Sequence, residues 1–271
     1  FPSYNFTDSW QEVIESKEID GVIIAASPNN HFEMASQCIE NRKPLIIEKP
    51  FTLSLKDAES LLLLSEKKQV NVKVNHIYLY HPLFRLLKEN ISDKSTFTSI
   101  YSMSGNYGPF RKDISPLWDW GPHDIAMCLA IVNKFPCKIE ARYLKKDLSS
   151  LKKKSNINIK LYFKENKYAE LNFGNFMNKK KRLFKVNFQD SSLIFDPINY
   201  SKIKKQIGNE KMDISNMNTK ESLSLNQTPL EVLLKEFALE VINSQFNLSD
   251  IILAKKVVSI LEIVDKELRK N

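Results

Sequence analysis

The 271-residue chain contains six glycines, where average usage of about 7% gives roughly 19 in this length. They are Gly21, Gly105, Gly108, Gly121, Gly174 and Gly208. Gly105 and Gly108 stand three apart, but no glycine stands two before Gly105, so neither G-x-G-x-x-G nor G-x-x-x-x-G-K can be assembled. A complete P-loop and a self-sufficient dinucleotide fold are therefore excluded for the chain as given. Cysteine is equally sparse. Cys38, Cys128 and Cys137 form no C-x-x-C pair, and the first two fall in helix-like apolar stretches. Such an odd, thin set reads as buried thiols in a reducing compartment, and a cytoplasmic location is expected. Long apolar runs are missing too. Val22 to Ala26 is far short of the roughly 18 residues that a membrane helix needs, so no membrane partner is expected. No secretory leader is visible, although the first residue is Phe1 rather than Met. His76 and His81 are five apart, His31 is distant, and no cysteine or second histidine supplies zinc-ligand spacing. No metal site is expected.

What is present is a soluble globular composition, 42% apolar and 27% charged, with a net charge of +8. The charge is uneven. Residues 1–137 sum to −2, residues 138–205 to +12 and residues 206–271 to −2. A basic middle attracts nucleic acid or an anionic small molecule. The alternative is solvated strand faces in a Lys- and Asn-rich segment. Tyr162, Phe163, Tyr168, Phe173 and Phe176 alternate with its lysines mostly in the manner of half-buried strands, so no specific nucleic-acid partner is expected.

The first 90 residues alternate strands and helices. Asp8 to Ser16 reads as a helix, with Asp8 as a candidate cap. Gly21 to Ala26 is a continuous apolar run, as in a strand covered on both faces. Ser27-Pro28-Asn29-Asn30 breaks it, and Asn30 with Glu33 is spaced as a capping box for the next helix. Leu45-Ile46-Ile47 is a short buried strand ending in Glu48-Lys49-Pro50. Ser54 and Asp57 open a helix to about Lys67, and Val70 to Asn75 is a further strand. This βαβαβ rhythm implies a parallel sheet with right-handed crossovers. The character changes near residue 95. Ile100 to Tyr107 reads as a strand, Gly108 to Leu117 as a loop and Trp118 to Val132 as a helix. Cys137 to about Asp196 holds several strands with turn signals between them. Residues 200–228 are polar and weakly patterned. Helices follow over about Leu230–Ser244 and Asp250–Lys270. The expected fold class is α/β, an incomplete parallel unit over residues 1–95, followed by an α+β domain with an antiparallel sheet over residues 96–271.

Two motifs carry chemistry. In open α/β sheets ligands bind beyond the carboxyl ends of the strands. Ser27-Pro28-Asn29 and Glu48-Lys49-Pro50 both fall there and should line one crevice. Apolar surroundings lower the pKa of a lysine and suit it to proton donation or electrostatic clamping, whereas a strand-end lysine is otherwise a surface charge. The second motif is Trp118-Asp119-Trp120-Gly121-Pro122-His123-Asp124. On a helix Asp119 and His123 are i and i+4 and share a face. A histidine beside a carboxylate titrates near neutrality, as a general acid/base needs. The plainer alternative is that Asp119 caps the helix and His123 packs. Pro122 favours a first helical turn. Arg111 has the fork to hold an anionic substrate group, or is a surface-loop arginine.

In this order and at these distances, the Asp20–Ala26 strand, Ser-Pro-Asn-Asn-His, Glu-Lys-Pro and Asp-x-Gly-x-His resemble the glucose–fructose oxidoreductase / inositol dehydrogenase / rhizopine catabolism (Gfo/Idh/MocA) family. The resemblance spans residues 1 to about 135, and the strand-rich remainder fits the family's second domain more loosely. It implies a Rossmann domain binding NAD or NADP and an open-faced antiparallel sheet that builds the substrate site and a homo-oligomer interface. It implies hydride transfer between nicotinamide and a hydroxyl carbon of a sugar or sugar derivative. Lys49, Asp119 and His123 match the catalytic positions. Ser27, Pro28, Asn29, His31, Glu48, Lys49 and Asn75 match the cofactor side, and Arg111, Trp118, Asp119 and His123 the substrate side. The family's opening strand and glycine-rich turn would precede Phe1, so the choice between NAD and NADP is not legible. Gly121, within the Asp-to-His turn, is expected where a side chain would crowd substrate. An NAD-dependent glycoside hydrolase and a non-catalytic sugar- or dinucleotide-binding regulator are the alternatives on the same scaffold.

Overall fold

A computed structural model of the chain describes residues 5–91, 97–147, 153–214 and 227–270. In chain order the elements are α1 (Trp10–Glu15), β1 (Val22–Ile24), α2 (His31–Glu40), β2 (Leu45–Ile47), α3 (Leu55–Lys68), β3 (Val72–Val74), α4 (Pro82–Glu89), β4 (Ser99–Tyr107), α5 (Pro116–Val132), β5 (Lys138–Asp147), β6 (Lys154–Tyr162), β7 (Tyr168–Gly174), β8 (Phe176–Asn187), β9 (Ser192–Phe195), β10 (Lys204–Ile207), β11 (Glu210–Asp213), α6 (Pro229–Ile242) and α7 (Ser249–Lys270). Short 3-10 turns cover Pro28–Asn30 and Ile77–Tyr80. Two compact units result. One draws on the chain through Asn75 and on Leu234–Val258, the other on His76–Leu233 and the chain from Ser259.

The first unit is a parallel sheet in the order β1-β2-β3, with Val22 opposite Leu45 and Leu45 opposite Val72. α2 and α3 are the crossovers that parallel pairing demands. Leu45, Ile46 and Ile47 are all buried, as an apolar run in a central strand requires. β1 is shorter than the apolar run around it, and Ile23 is 58% exposed, so this strand is not covered on both faces. Ser54 caps α3 by accepting from the Asp57 N–H at 3.1 Å. Two other caps differ from expectation. Ser9, not Asp8, accepts from Glu12 at the start of α1. Asn30 makes no side-chain cap bond, because the 3-10 turn has already put its backbone in the helical region, whereas a capping residue needs an extended one.

β3 also carries a charge into this unit. Lys73 is 4% exposed, and its Nζ lies 2.8 Å from Glu240 and 3.2 Å from Asp250. Next to it the buried Asn71 donates to the Gln245 carbonyl and accepts from the Asn247 N–H at 2.8 Å. These polar ties bring the segment around residues 240–250 back to a strand about 170 residues earlier. Burial lowers the Lys73 pKa, but the Asp250 and Glu240 carboxylates outweigh it and hold the amine above its ordinary 10.5. The folded state therefore favours the charged form. Its stabilising effect is complete at neutral pH and is lost as pH climbs through the raised value. Lys73→Met strands two carboxylates together and is expected to cost about 2–3 kcal/mol in urea unfolding at pH 7, with the gap to wild type closing above pH 10.5.

The second unit is an eight-stranded sheet in the order β11-β10-β9-β8-β4-β7-β6-β5. It is mixed rather than purely antiparallel, because β4 pairs parallel with β7 and antiparallel with β8. β4 sits between two strands that follow one another in opposite directions, so one of its pairings has to be parallel. Hydrophobic alternation carries no information on strand direction, and the sequence could not show this. The β10–β11 hairpin falls in the weakly patterned segment, with Gly208-Asn209 as a two-residue turn and Gly208 at φ +55°. That turn signal was available in the sequence, but both strands are too polar to register as strands. Residues 215–226 of the same segment lie outside the described residues.

α5 covers one face of this sheet, packing on β4, β6 and β7. On the other face Tyr101, Met103 and Leu183 are half-buried beside Glu170 and Lys185. Cys38 and Cys128 are buried, and burial pushes the Cys38 thiol up to about 12. Cys137 differs from expectation. It is exposed, because it enters β5, an outermost strand. Among the described residues no helix is long and apolar enough to cross a membrane.

Candidate functional site

In the first unit the turns that leave the carboxyl ends of β1, β2 and β3 form the candidate cofactor side. The Glu48 N–H donates to the Ile24 carbonyl at 2.9 Å and the Asn75 N–H to the Ile47 carbonyl at 2.8 Å, extending the parallel pairing to the strand ends. Glu48 then acts as a brace. One carboxylate oxygen accepts from Asn75 Nδ2 at 2.6 Å and the other from the Lys49 N–H at 3.3 Å. Lys49 is half-buried and precedes a cis Pro50. His31 is fully buried, with Nδ1 2.9 Å from the Pro50 carbonyl and Nε2 3.1 Å from the Ala26 carbonyl. Its ring ties the loop after β2 to the end of β1. Pro28 is buried in the turn between β1 and α2, flanked by Ser27 and Asn29.

Asn75 Oδ1 is buried and accepts no hydrogen bond from the described residues. An orphaned buried acceptor is costly. A nicotinamide dinucleotide carries amide and hydroxyl donors that would satisfy it, and strand carboxyl ends are where such ligands bind. The residues present therefore fit the cofactor.

In the second unit the candidate substrate residues lie on or just before α5. The preceding loop is held by Asn175, which is buried. Its Oδ1 accepts from the Ser155 N–H at 3.0 Å, its Nδ2 donates to the Lys153 carbonyl at 2.8 Å, and its own carbonyl accepts from Gly108 at 2.9 Å. Gly108 has φ +82°, which favours glycine. The helix starts at Pro116 with Ser115 before it, two residues earlier than expected. Asp119 is thus in the first turn rather than the cap, and Pro122 lies within the helix rather than opening it.

On a helix of about 100° per residue, Asp119 and His123 fall within about 40° of each other. Trp118 lies about 140° away from His123 and is 8% exposed, so it faces the core rather than the Asp119–His123 face. Trp120, which the sequence reading did not single out, shares that face. Its indole N–H is buried without an acceptor among the described residues. Helical phase was the signal that separates the two tryptophans. Tyr78 is a second unforeseen neighbour, with its ring 5.2 Å from His123 at 88°. Arg111 spends its fork on Asp113, at 3.1 and 2.7 Å, and lies 3.8 Å from Asp119.

Gly121 corrects an expectation. A Cβ there would stand 3.0 Å from Leu261 and 3.0 Å from Phe173, so the missing side chain admits the core, not substrate. Gly121→Ala is expected to lower stability by about 1–2 kcal/mol in thermal or urea unfolding. His81 is structural as well. Its Nδ1 accepts from the Leu83 N–H at 3.2 Å as the cap of α4, and its ring packs on Phe195. Burial pushes its pKa down from 6.5 to about 4. The unfolded chain then binds a proton that the fold refuses, so stability falls as pH drops from 6.5 towards 4. Asn also caps helices. His81→Asn is expected to flatten that part of the stability–pH curve, as read by urea unfolding at several pH values. Among the described residues no group of three metal-ligating side chains could hold an ion.

A short parallel α/β unit of Rossmann type and a sheet-rich unit make up the fold. Residues 2–76 match the profile of the oxidoreductase family with an NAD-binding Rossmann fold. UDP-N-acetylglucosamine 3-dehydrogenase of Acidithiobacillus ferrooxidans is 24% identical over 46% of this chain and 39% of its own length. A glycosyl hydrolase family 109 protein of Phocaeicola vulgatus is 28% identical over 43% of this chain and 22% of its own length. The solved structure of a provisionally assigned oxidoreductase from Magnetospirillum magnetotacticum superposes with a TM-score of 0.83 and 26% identity, covering 94% of this chain and 83% of that one. The matched stretch spans well under half the length of the curated relatives. These likenesses support a Gfo/Idh/MocA-type oxidoreductase, with the family profile matched over residues 2–76.

Proposed function

We propose that the protein carrying this chain is an NAD(P)-dependent dehydrogenase acting on a hydroxyl carbon of a sugar or sugar derivative. The observation that carries the reading is the helical phase of α5, which puts Asp119 and His123 on one face, with the Trp120 indole N–H buried without an acceptor among the described residues, in a chain whose residues 2–76 match an NAD-binding oxidoreductase family. Nicotinamide, when bound, would supply the hydride acceptor or donor. Asn75, braced by Glu48, would hold the cofactor together with Lys49, while Ser27, Pro28, Asn29 and His31 shape the turns on the cofactor side. His123 takes the proton of the reacting hydroxyl. Lys49, at the end of β2, serves as proton donor or electrostatic clamp for the charge that develops in the reaction. Asp119 orients a neighbouring hydroxyl or the His123 ring. Arg111 flanks the substrate, Trp118 anchors the helix that presents it, and Trp120 donates to it. The half-buried open face of the large sheet serves as a homo-oligomer interface.

Lys49→Met is expected to lower turnover at least about 10²-fold, measured as nicotinamide absorbance with sugar substrates, and His123→Asn by about 10²–10⁴-fold. Unchanged turnover in Lys49→Met overturns the assignment. A second reading, elimination-based glycoside cleavage with NAD retained, is favoured by the similarity to the family 109 glycosyl hydrolase protein. Net accumulation of reduced nicotinamide during turnover decides for the dehydrogenase, and released aglycone without it decides for the hydrolase.

A further inference from the structure

Among the described residues buried on α5, Asp124 is the only charged one. Asp124, the residue after His123, is fully buried. Its carboxylate accepts from Ser102 Oγ and from Ser104 Oγ on β4, the latter at 2.5 Å. Arg182 on β8 donates to both oxygens at 3.3 and 3.4 Å and is itself 5% exposed. Ser104 and Arg182 are direct cross-strand partners, so the donors come from one spot on the sheet. The guanidinium carbon of Arg182 also lies 3.7 Å from the centre of the Tyr78 ring, and Tyr78 meets His123 edge to face.

Stability alone gives no reason for this arrangement. Burying a carboxylate and a guanidinium is expensive, and well-packed apolar residues in their place are often neutral or stabilising. What the network does achieve is orientation. Four hydrogen bonds to Asp124 set the rotation of α5 about its axis, and with it the direction of its neighbour His123. The Arg182–Tyr78 stack backs the imidazole from the other side. Both routes start at one residue.

We propose that Arg182 is a positioning residue for His123, acting through Asp124 on the helix and through Tyr78 on the ring. The proposal rests on the reading of His123 as the proton-transfer group. A small misplacement of such a group costs up to about 100-fold in rate. Arg182 should therefore affect kcat more than KM.

The test combines two readouts on the full protein. The first is the NMR spectrum of the His123 ring CH groups without ligands, with its through-space contacts to Tyr78. The second is steady-state turnover. Arg182→Met is expected to shift the ring signals, remove the Tyr78 contacts and lower kcat about 10–100-fold with KM changed less than about threefold. Arg182→Lys retains charge but loses the fork and the planar stack, and falls between. Tyr78→Leu, at a half-buried position, severs one route without uncovering Asp124, and it decides the matter if Arg182→Met does not fold. Ring signals and kcat unaltered in a folded Arg182→Met, or in Tyr78→Leu where that variant decides, overturn the proposal. Ring signals shifted by Arg182→Met, with the wild-type protein inert towards sugars and nicotinamide, overturn the dehydrogenase reading and leave the positioning intact.

Discussion

A carboxylate without solvent has to be answered by donors, and Asp124 is answered by two serines and an arginine on neighbouring strands. The buried residues of the helix that carries it are otherwise apolar and run along most of its length. Apolar packing is non-directional and would tolerate several rotations of such a helix. Hydrogen bonds are directional and tolerate one. The placement of Asp119, Trp120 and His123 on a common face is useful only because that one rotation is selected. Gly121 contributes to the same end by letting Phe173 and Leu261 come close.

The first unit solves a similar problem at its strand ends. Three strands of three residues each cannot hold long turns rigid by pairing alone. Glu48 and His31 extend the order beyond the sheet, one through Asn75 and the Lys49 amide, the other through two carbonyls. Lys73, Glu240 and Asp250 do the corresponding work elsewhere in the same unit, tying segments that are remote in sequence to β3. In both units polar groups buried at a net cost, or close to it, select geometry, and apolar burial supplies the driving force.

Much of this was legible in the residues. The apolar runs at Gly21–Ala26 and Leu45–Ile47 and the strand pattern of Val70–Asn75, with amphipathic stretches between them, announce a parallel sheet with helical crossovers. The Ser54 cap and the strand-to-helix change before α5 were readable by local rules. The failures share a cause. Asn30 was read as a cap from spacing, but the turn before it had already taken helical dihedrals. The family resemblance puts Trp118 on the substrate side, whereas 3.6-residue periodicity sends it to the core and brings Trp120 round. Arg111 reads as an open fork until the loop folds Asp113 into it. β10 and β11 are polar on both sides, so pattern is silent there.

The sequence by itself determined the likeness of residues 2–76 to an oxidoreductase family, the parallel α/β beginning and the residue types able to carry acid–base chemistry. These depend on local order and on spacing along one chain, which short-range sterics and hydrophobic periodicity translate directly. The meaning of the missing glycines changed with the tertiary structure. Their scarcity removes a phosphate-binding loop from this chain, while Gly121 serves helix–sheet contact. Only the tertiary structure could decide the parallel pairing of β4 with β7 and the return of residues around 240–250 to Lys73. It alone could show the partners of Asp124. Each joins residues between about 20 and 180 positions apart, and such contacts arise from the global packing of elements rather than from any local preference.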